Sequence, residues 1–216
     1  MNDLYIIGAG GLGRKVFECC RRINEIHNKW NIIGFLDDNK NALDGIKCNL
    51  SIVETMEDFT PKDGDRVVLA ISNPDTKENI VKKFKEKGCI FESIVSPEAI
   101  VGDFVDFGEG SVVMTPYNIE SGAKIGKFVT ILGSTIALDG VIGDYSTSTG
   151  FVNLTNAKIG KKVFIGSHAV ILENTEVGDN AEISAGAVVM NNVEKNTVVF
   201  GMPARVLKKK EKKNEE

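Results

Sequence analysis

The residues with the clearest chemical meaning gather at a glycine turn near the N-terminus. Gly8, Gly10 and Gly13 fall in the spacing G-x-G-x-x-G, directly after the apolar run Leu4-Tyr5-Ile6-Ile7. Glycines so placed let backbone N–H groups approach a phosphate, and a helix beginning there favours the anion. Two adjacent carboxylates, Asp37 and Asp38, close the later run Ile32-Ile33-Gly34-Phe35-Leu36. Carboxylates at that strand end sit where a ribose or base lies in nucleotide-binding α/β units. The chain has two histidines, and His27, in a polar stretch, reads as a surface residue. Cys19, Cys20, Cys48 and Cys89 show no C-x-x-C spacing, so they read as free thiols and no metal site is expected.

The elements that must position these groups follow from hydropathy. A strand runs into the turn, and Val16, Cys19, Cys20 and Ile23 then share one face of a helix. Val67 to Ile71 reads as a buried strand, and Pro74 opens a helix to Lys87. This α/β pattern ends near Ser96, which leaves no room for the second half that a dinucleotide such as NAD needs. A mononucleotide, or a sugar attached to one, fits better. The alternative, that the glycines only form a tight turn, stays open at this point.

The second half keeps a six-residue beat. Apolar residues stand at Val101, Phe107, Val113, Ile119, Ile125 and Ile131, and again at Ile159, Ile165, Ile171, Val177, Ile183 and Val189. A period of six belongs to a solenoid of short parallel strands, three per turn, so residues 99 to 190 supply about five coils. Small residues at Ser111, Ala123, Ala169, Ala181 and Ala187 suit the corners. The beat slips by one residue between Ile131 and Ile142 and again before Ile159, around Gly140 to Asn156. The expected architecture is a half-Rossmann-like α/β domain over 1–96, a left-handed parallel β-helix over 97–206, and a charged tail over 207–216. The flat faces and open ends of such a prism predict a homotrimer.

A net charge of −4 gives no reason to expect nucleic acid as a partner. No apolar stretch is long enough for a membrane span, and no leader pattern precedes the first strand, so a cytoplasmic protein is expected. The basic run from Lys208 to Lys213 reads as a solvated, frayed tail.

Taken together, Ile6 to Gly13, Gly34 to Asp38, Ser96-Pro97-Glu98-Ala99, the hexapeptides and the closing Val199 to Val206 resemble the sialic-acid O-acetyltransferase-like family. That family includes the UDP-4-amino-sugar N-acetyltransferases. The resemblance implies an acetyl-CoA-dependent acyltransferase acting on a nucleotide-linked sugar. It implies that the nucleotide rests on Gly10, Gly11 and Leu12, with Asp37 and Asp38 near the uridine. Acetyl-CoA would lie between two subunits, at Thr147, Ser167 and Ala185. A sugar amine or hydroxyl would attack the thioester directly, aided by a base.

The family places a histidine and then an acid before its V-I-G-[DE] hexapeptide. Here Leu138 stands at the histidine position and Asp139 at the acid, ahead of Val141-Ile142-Gly143-Asp144. Asp139 is therefore the candidate base, and His168, next to Ser167, is a second candidate. Three accounts stay open: a carboxylate base, catalysis by positioning alone, or a trimer that binds nucleotide sugar or CoA without turnover. A zinc enzyme on the same coil would need three histidines, and the chain does not have them.

Overall fold

The computed structural model describes residues 1–114 and 118–211. The first half is a parallel five-stranded sheet. In chain order come β1 (Asn2–Ile7), α1 (Gly11–His27), β2 (Trp30–Leu36), β3 (Ile52–Glu54), β4 (Arg66–Leu69), α2 (Pro74–Glu86) and β5 (Ile90–Phe91). Side by side the strands run β3-β2-β1-β4-β5. Leu4, Ile6, Ile7, Phe35, Leu36, Val67, Val68 and Leu69 are buried, as continuous apolar strands covered on both faces should be. α1 buries Gly13, Val16, Cys19, Cys20 and Ile23, one stripe at helical spacing. α2 begins at Asn73, whose side chain accepts from the Thr76 N–H at 3.0 Å, with Pro74 in the first turn. Strands are added on one side of β1 and then on the other. The crevice that accepts ligands in such sheets opens at this reversal, at the carboxyl ends of β1 and β4.

From Ile94 the chain winds into a triangular parallel β-helix. One face, the docked face, carries Ile94–Val95, Val112–Val113, Thr130–Ile131, Thr147–Ser148, Phe164–Ile165, Glu182–Ile183 and Thr197–Phe200. Among the described residues the bare face has six strands, from Ile100–Val101 to Val188–Val189, and the charged face has five, from Asp106–Phe107 to Glu176–Val177. The beat residues from Val113 to Val189 stack in columns, for example Ile125, Ile142, Ile159 and Val177, and form one buried core, while Val101 at the start of the coil is exposed. The glycines that follow the beat sit where successive corners nearly touch. A Cβ on Gly166 would lie 2.5 Å from the Ala185 nitrogen of the next turn.

Three details differ from the sequence reading. The first slip of the beat is not within 140–156: Ile131 and Ile136 are successive inward residues, and the short corner runs through Gly133, at φ 136°. The second falls between Leu154 and Ile159, through Asn156 at φ 45°. Between them the inward position is Ser148, which a hydropathy pattern cannot show. The coil also starts early, since Ile94-Val95 already pairs with Val112-Val113. Finally, Arg205–Lys209 is a strand, antiparallel to Thr197–Phe200, so the start of the basic run is paired backbone rather than a frayed tail. Lys212 and Lys213 lie outside the described residues. No helix among the described residues is long and apolar enough to cross a membrane.

The two halves share their packing. Ile94 and Val112 belong to the cluster around Leu4, Ile6 and Val16, and Phe128 joins the cluster of Ile7, Phe84 and Phe91. Phe128 meets Phe91 edge-on at 5.0 Å and stacks on Tyr145 at 5.4 Å. Lys85 pairs with Glu109 at 2.7 Å, and Lys162 pairs with Glu78. The crevice and the coil therefore form one body, and the geometry of one is set by the other.

Candidate functional site

The crevice is built by two loops. The Gly8 N–H donates to the Leu36 carbonyl at 2.8 Å, and the Ala70 N–H to the Ile7 carbonyl at 2.9 Å, so the ends of β1, β2 and β4 are tied together. Asp37 closes the glycine turn: Oδ2 accepts from the Ala9 N–H at 2.7 Å and Oδ1 from the Asn39 N–H at 2.9 Å. Asp38 Oδ1 accepts from the Met56 N–H at 2.8 Å. Both carboxylates stay open to solvent on one side, at the strand end where the sequence places them.

Gly10 is the N-cap of α1, with no side-chain cap and no acidic residue in the first turn. A Cβ at Gly10 would meet nothing within 4 Å, and at Gly11 only the Arg14 guanidinium at 3.9 Å. The start of α1 thus has no side-chain cap and open space at its first residues, which is the condition for holding an anion. Leu12 is half-buried and packs against the core, so it shapes the turn from below. At Gly13 a Cβ would collide with the Gly8 carbonyl oxygen, and that glycine is needed by the fold itself.

The coil separates the other predicted residues onto different edges. Ser167 and Ala185 occupy adjacent turns of the edge between the docked and bare faces, where the Gly186 N–H donates to the Ser167 carbonyl at 2.8 Å. Thr149 extends this line, its hydroxyl 3.2 Å from that of Ser167. His168 is exposed on the same edge, at φ 62°, with its ring stacked on Phe151 at 4.8 Å. Asp139 is exposed on the next edge, between the bare and charged faces, at φ 54°. Beside it Leu138 points into solvent, 57 % exposed, while its N–H donates to Glu120 Oε2 at 3.1 Å. One chain therefore does not bring Asp139 and Ser167 together.

Thr147 is in neither place. It is fully buried beneath the first domain, and its hydroxyl donates to the Ser72 carbonyl at 2.7 Å, so it offers nothing to a solvent-borne ligand. A hexapeptide alignment cannot reveal this, because the covering domain is invisible in the repeat. Sequence reasoning also missed Lys77, which looks like any polar residue of an amphipathic helix. It is fully buried, and its Nζ donates to the carbonyls of Phe128 at 3.1 Å and Ser146 at 3.0 Å. Burial holds its pKa well below the ordinary lysine range. His27 is exposed at the end of α1, as read. Among the described residues no cluster of histidine, cysteine or carboxylate groups is arranged for a metal.

Outward positions on the bare face carry no charge: Ile100, Asn118, Thr135, Asn153, Val170 and Val188. Exposed apolar side chains flank it, with Phe151 and Met202 on one edge and Phe104 and Leu138 on the other.

Residues 3–84 match the PglD N-terminal domain, and residues 156–191 match the bacterial transferase hexapeptide (six repeats). WeeI from Acinetobacter baumannii AYE is 31% identical, covers 94% of this chain and 99% of its own, and superposes with a TM-score of 0.82. The acetyltransferase domain of PglB from Neisseria gonorrhoeae FA1090, solved with acetyl coenzyme A, is 25% identical over 95% of this chain and 99% of its own, TM-score 0.85. Perosamine N-acetyltransferase from Caulobacter crescentus, solved with CoA and GDP-perosamine, shares the fold at 19% identity over 95% of this chain and 97% of its own, TM-score 0.82. No curated protein matches the chain in sequence.

Proposed function

This chain belongs to the hexapeptide-repeat, left-handed β-helix sugar acetyltransferases with a PglD-type N-terminal domain, and from that membership we propose that it acetylates an amino sugar carried on a nucleotide. The observation that carries this reading is the open N-terminus of α1. No side chain caps the helix at Gly10, a side chain there would meet nothing within 4 Å, Asp37 is bonded to the neighbouring Ala9 N–H, and the whole is joined to a coil. A diphosphate would sit on the helix N-terminus and the ribose against the carboxylates.

The reaction is direct transfer. The sugar nitrogen bonds to the thioester carbonyl carbon, the carbon–sulfur bond breaks, and CoA leaves as the thiolate. The proton shed by the nitrogen passes to a base and finally to the sulfur. Asp139 is the proposed base, and the edge of Ser167 and Ala185 the proposed path of the pantetheine arm. Those edges lie apart in one chain, so the working site needs a second copy packed on the uncharged bare face, closing a trimer. Sedimentation equilibrium tests the assembly: a monomer at assay concentration defeats the composite site.

Incubation with acetyl-CoA and a panel of UDP-, dTDP- and GDP-linked amino sugars tests the activity through thiol release. Release no faster than hydrolysis, with both ligands bound, ends the enzymatic reading. It would favour the second one, a binding trimer without turnover, for which the observation is Leu138 in place of a basic side chain.

A further inference from the structure

A lysine buried without a carboxylate is costly, and an apolar side chain of its length would pack there at lower cost. What Lys77 adds is direction. Its Nζ donates to two carbonyls, Phe128 and Ser146, at one edge of two successive coil turns. A neutral amine has two N–H groups for two acceptors, whereas an ammonium would leave a third buried donor unpaired. Burial lowers its pKa below the ordinary lysine range. Five residues earlier, in the loop before α2, the Ser72 carbonyl accepts from Thr147 at 2.7 Å. Lys77, in the first turn of α2, and Ser72, in the loop just before its N-cap, thus grip the same strand start, Ser146-Thr147.

That segment has two neighbours that matter. The loop from Ala70 to Asn73 forms one wall of the crevice: a Cβ on Gly8 would lie 2.9 Å from Ile71 and 3.0 Å from the Ala70 carbonyl. On the coil side, Ser146 and Thr147 fall on the turn that begins near Asp139 and continues to Thr149. The grip joins the wall of the nucleotide crevice to the turn bearing the candidate base.

We propose that Lys77, with Thr147, is a positioning residue that sets the register between the nucleotide crevice and the coil, and so controls use of the nucleotide-linked acceptor rather than of acetyl-CoA. This rests on the function proposed above. Neither residue touches substrate; each acts through the Ala70–Asn73 wall.

The test compares the parent with Lys77→Met and Thr147→Val, the second chosen because it keeps shape if the first folds poorly. Expected in both is a KM for the nucleotide sugar raised at least tenfold, with the KM for acetyl-CoA within twofold. The affinity for the free nucleoside diphosphate, measured by calorimetry, should stay within threefold, because the crevice itself is intact. Both KM values rising together, or neither moving, overturns the proposal. Hydrogen exchange supplies a readout that does not depend on activity. Amides of residues 72–77 and 146–148 should exchange at least tenfold faster in Lys77→Met, and unchanged rates refute the grip even if the parent proves inactive. A parent that neither transfers acetyl nor binds nucleotide refutes the functional reading instead.

Discussion

Ser134 Oγ and Ser148 Oγ lie 2.6 Å apart inside the coil, on adjacent turns. Ser148 occupies an inward column otherwise held by Ile131 and Ile165, and Ser134 Oγ also reaches the Thr149 carbonyl at 3.1 Å. The pair satisfies itself where the chain shortens its corner. Removing one hydroxyl leaves the other with a poorer partner, at a cost of about 1–2 kcal/mol. Ser148→Ala should lower the melting temperature by several degrees. The double variant with Ser134→Ala should lose clearly less than twice that, because the two share one bond. Calorimetric melts of the three proteins decide it, and strict additivity would contradict the pairing.

The two ends of the glycine turn should respond oppositely to the same change. In Gly13→Ala the new methyl meets the Gly8 carbonyl oxygen, so the protein should be strongly destabilised or fail to fold. Gly10→Ala has free space and an ordinary φ of −68°, so its melting temperature should hold. Nucleotide affinity should nevertheless fall, because the methyl stands where the phosphate approaches the helix N–H groups. Isothermal titration with a nucleoside diphosphate, alongside a melt, separates the two effects.

Asp139→Asn should reduce kcat by about two orders of magnitude, the usual scale of a lost general base. Its fold should survive, since asparagine tolerates the left-handed backbone found there at φ 54°. His168→Ala should change kcat far less, because that ring is occupied with Phe151. Equal rates in Asp139→Asn and the parent would remove the carboxylate from the mechanism.

Stability should climb with pH on the alkaline side because of Lys77. Burial lowers its pKa in the folded state, while the unfolded chain keeps a value of about 10.4. Between the two values the unfolded chain binds the extra proton, so raising pH through that window favours the folded state. Below the folded value both states are protonated and the contribution is flat. Lys77→Met should lose this slope. Denaturant titrations at neutral and mildly alkaline pH, run on both proteins, would expose a parallel pH dependence and so refute it.

Placing at position 138 the basic group that the resemblance implies is open to direct trial. Leu138 is exposed and belongs to no core cluster, so Leu138→His should leave the melting temperature within a few degrees. If the site uses a base at that corner, the rate of thiol release should rise at least tenfold. A folded variant with an unchanged rate would mean the acceptor does not approach this edge.

The coil was legible because its inward residues carry the signal: a column of Ile125, Ile142, Ile159 and Val177 can be read as a period. The signal failed at Ser148, where two hydroxyls replace an aliphatic contact and leave the inward position without an apolar marker. The strand–turn–helix at Gly8 to Gly13 was legible because it follows from local backbone chemistry, whereas the bond from the Ala9 N–H to Asp37 was not read. Thr147 and Lys77 were not legible either. Their roles depend on which face of the coil the first domain covers, a long-range fact that hexapeptide spacing and helix periodicity leave undetermined. The strand at Arg205–Lys209 was hidden by its own lysines, which mark an edge strand and a frayed tail alike.

The exposed corner at Leu138 has an implication for descent. The residues that hold the coil together point inward, while the residue that differs from the family pattern points out and touches none of them. Selection can therefore rewrite this edge, the proposed seat of the base, without disturbing the scaffold, and drift there leaves no trace in stability. A lineage that abandoned or exchanged its chemistry at this corner would keep an intact fold, and a single substitution would suffice to travel back.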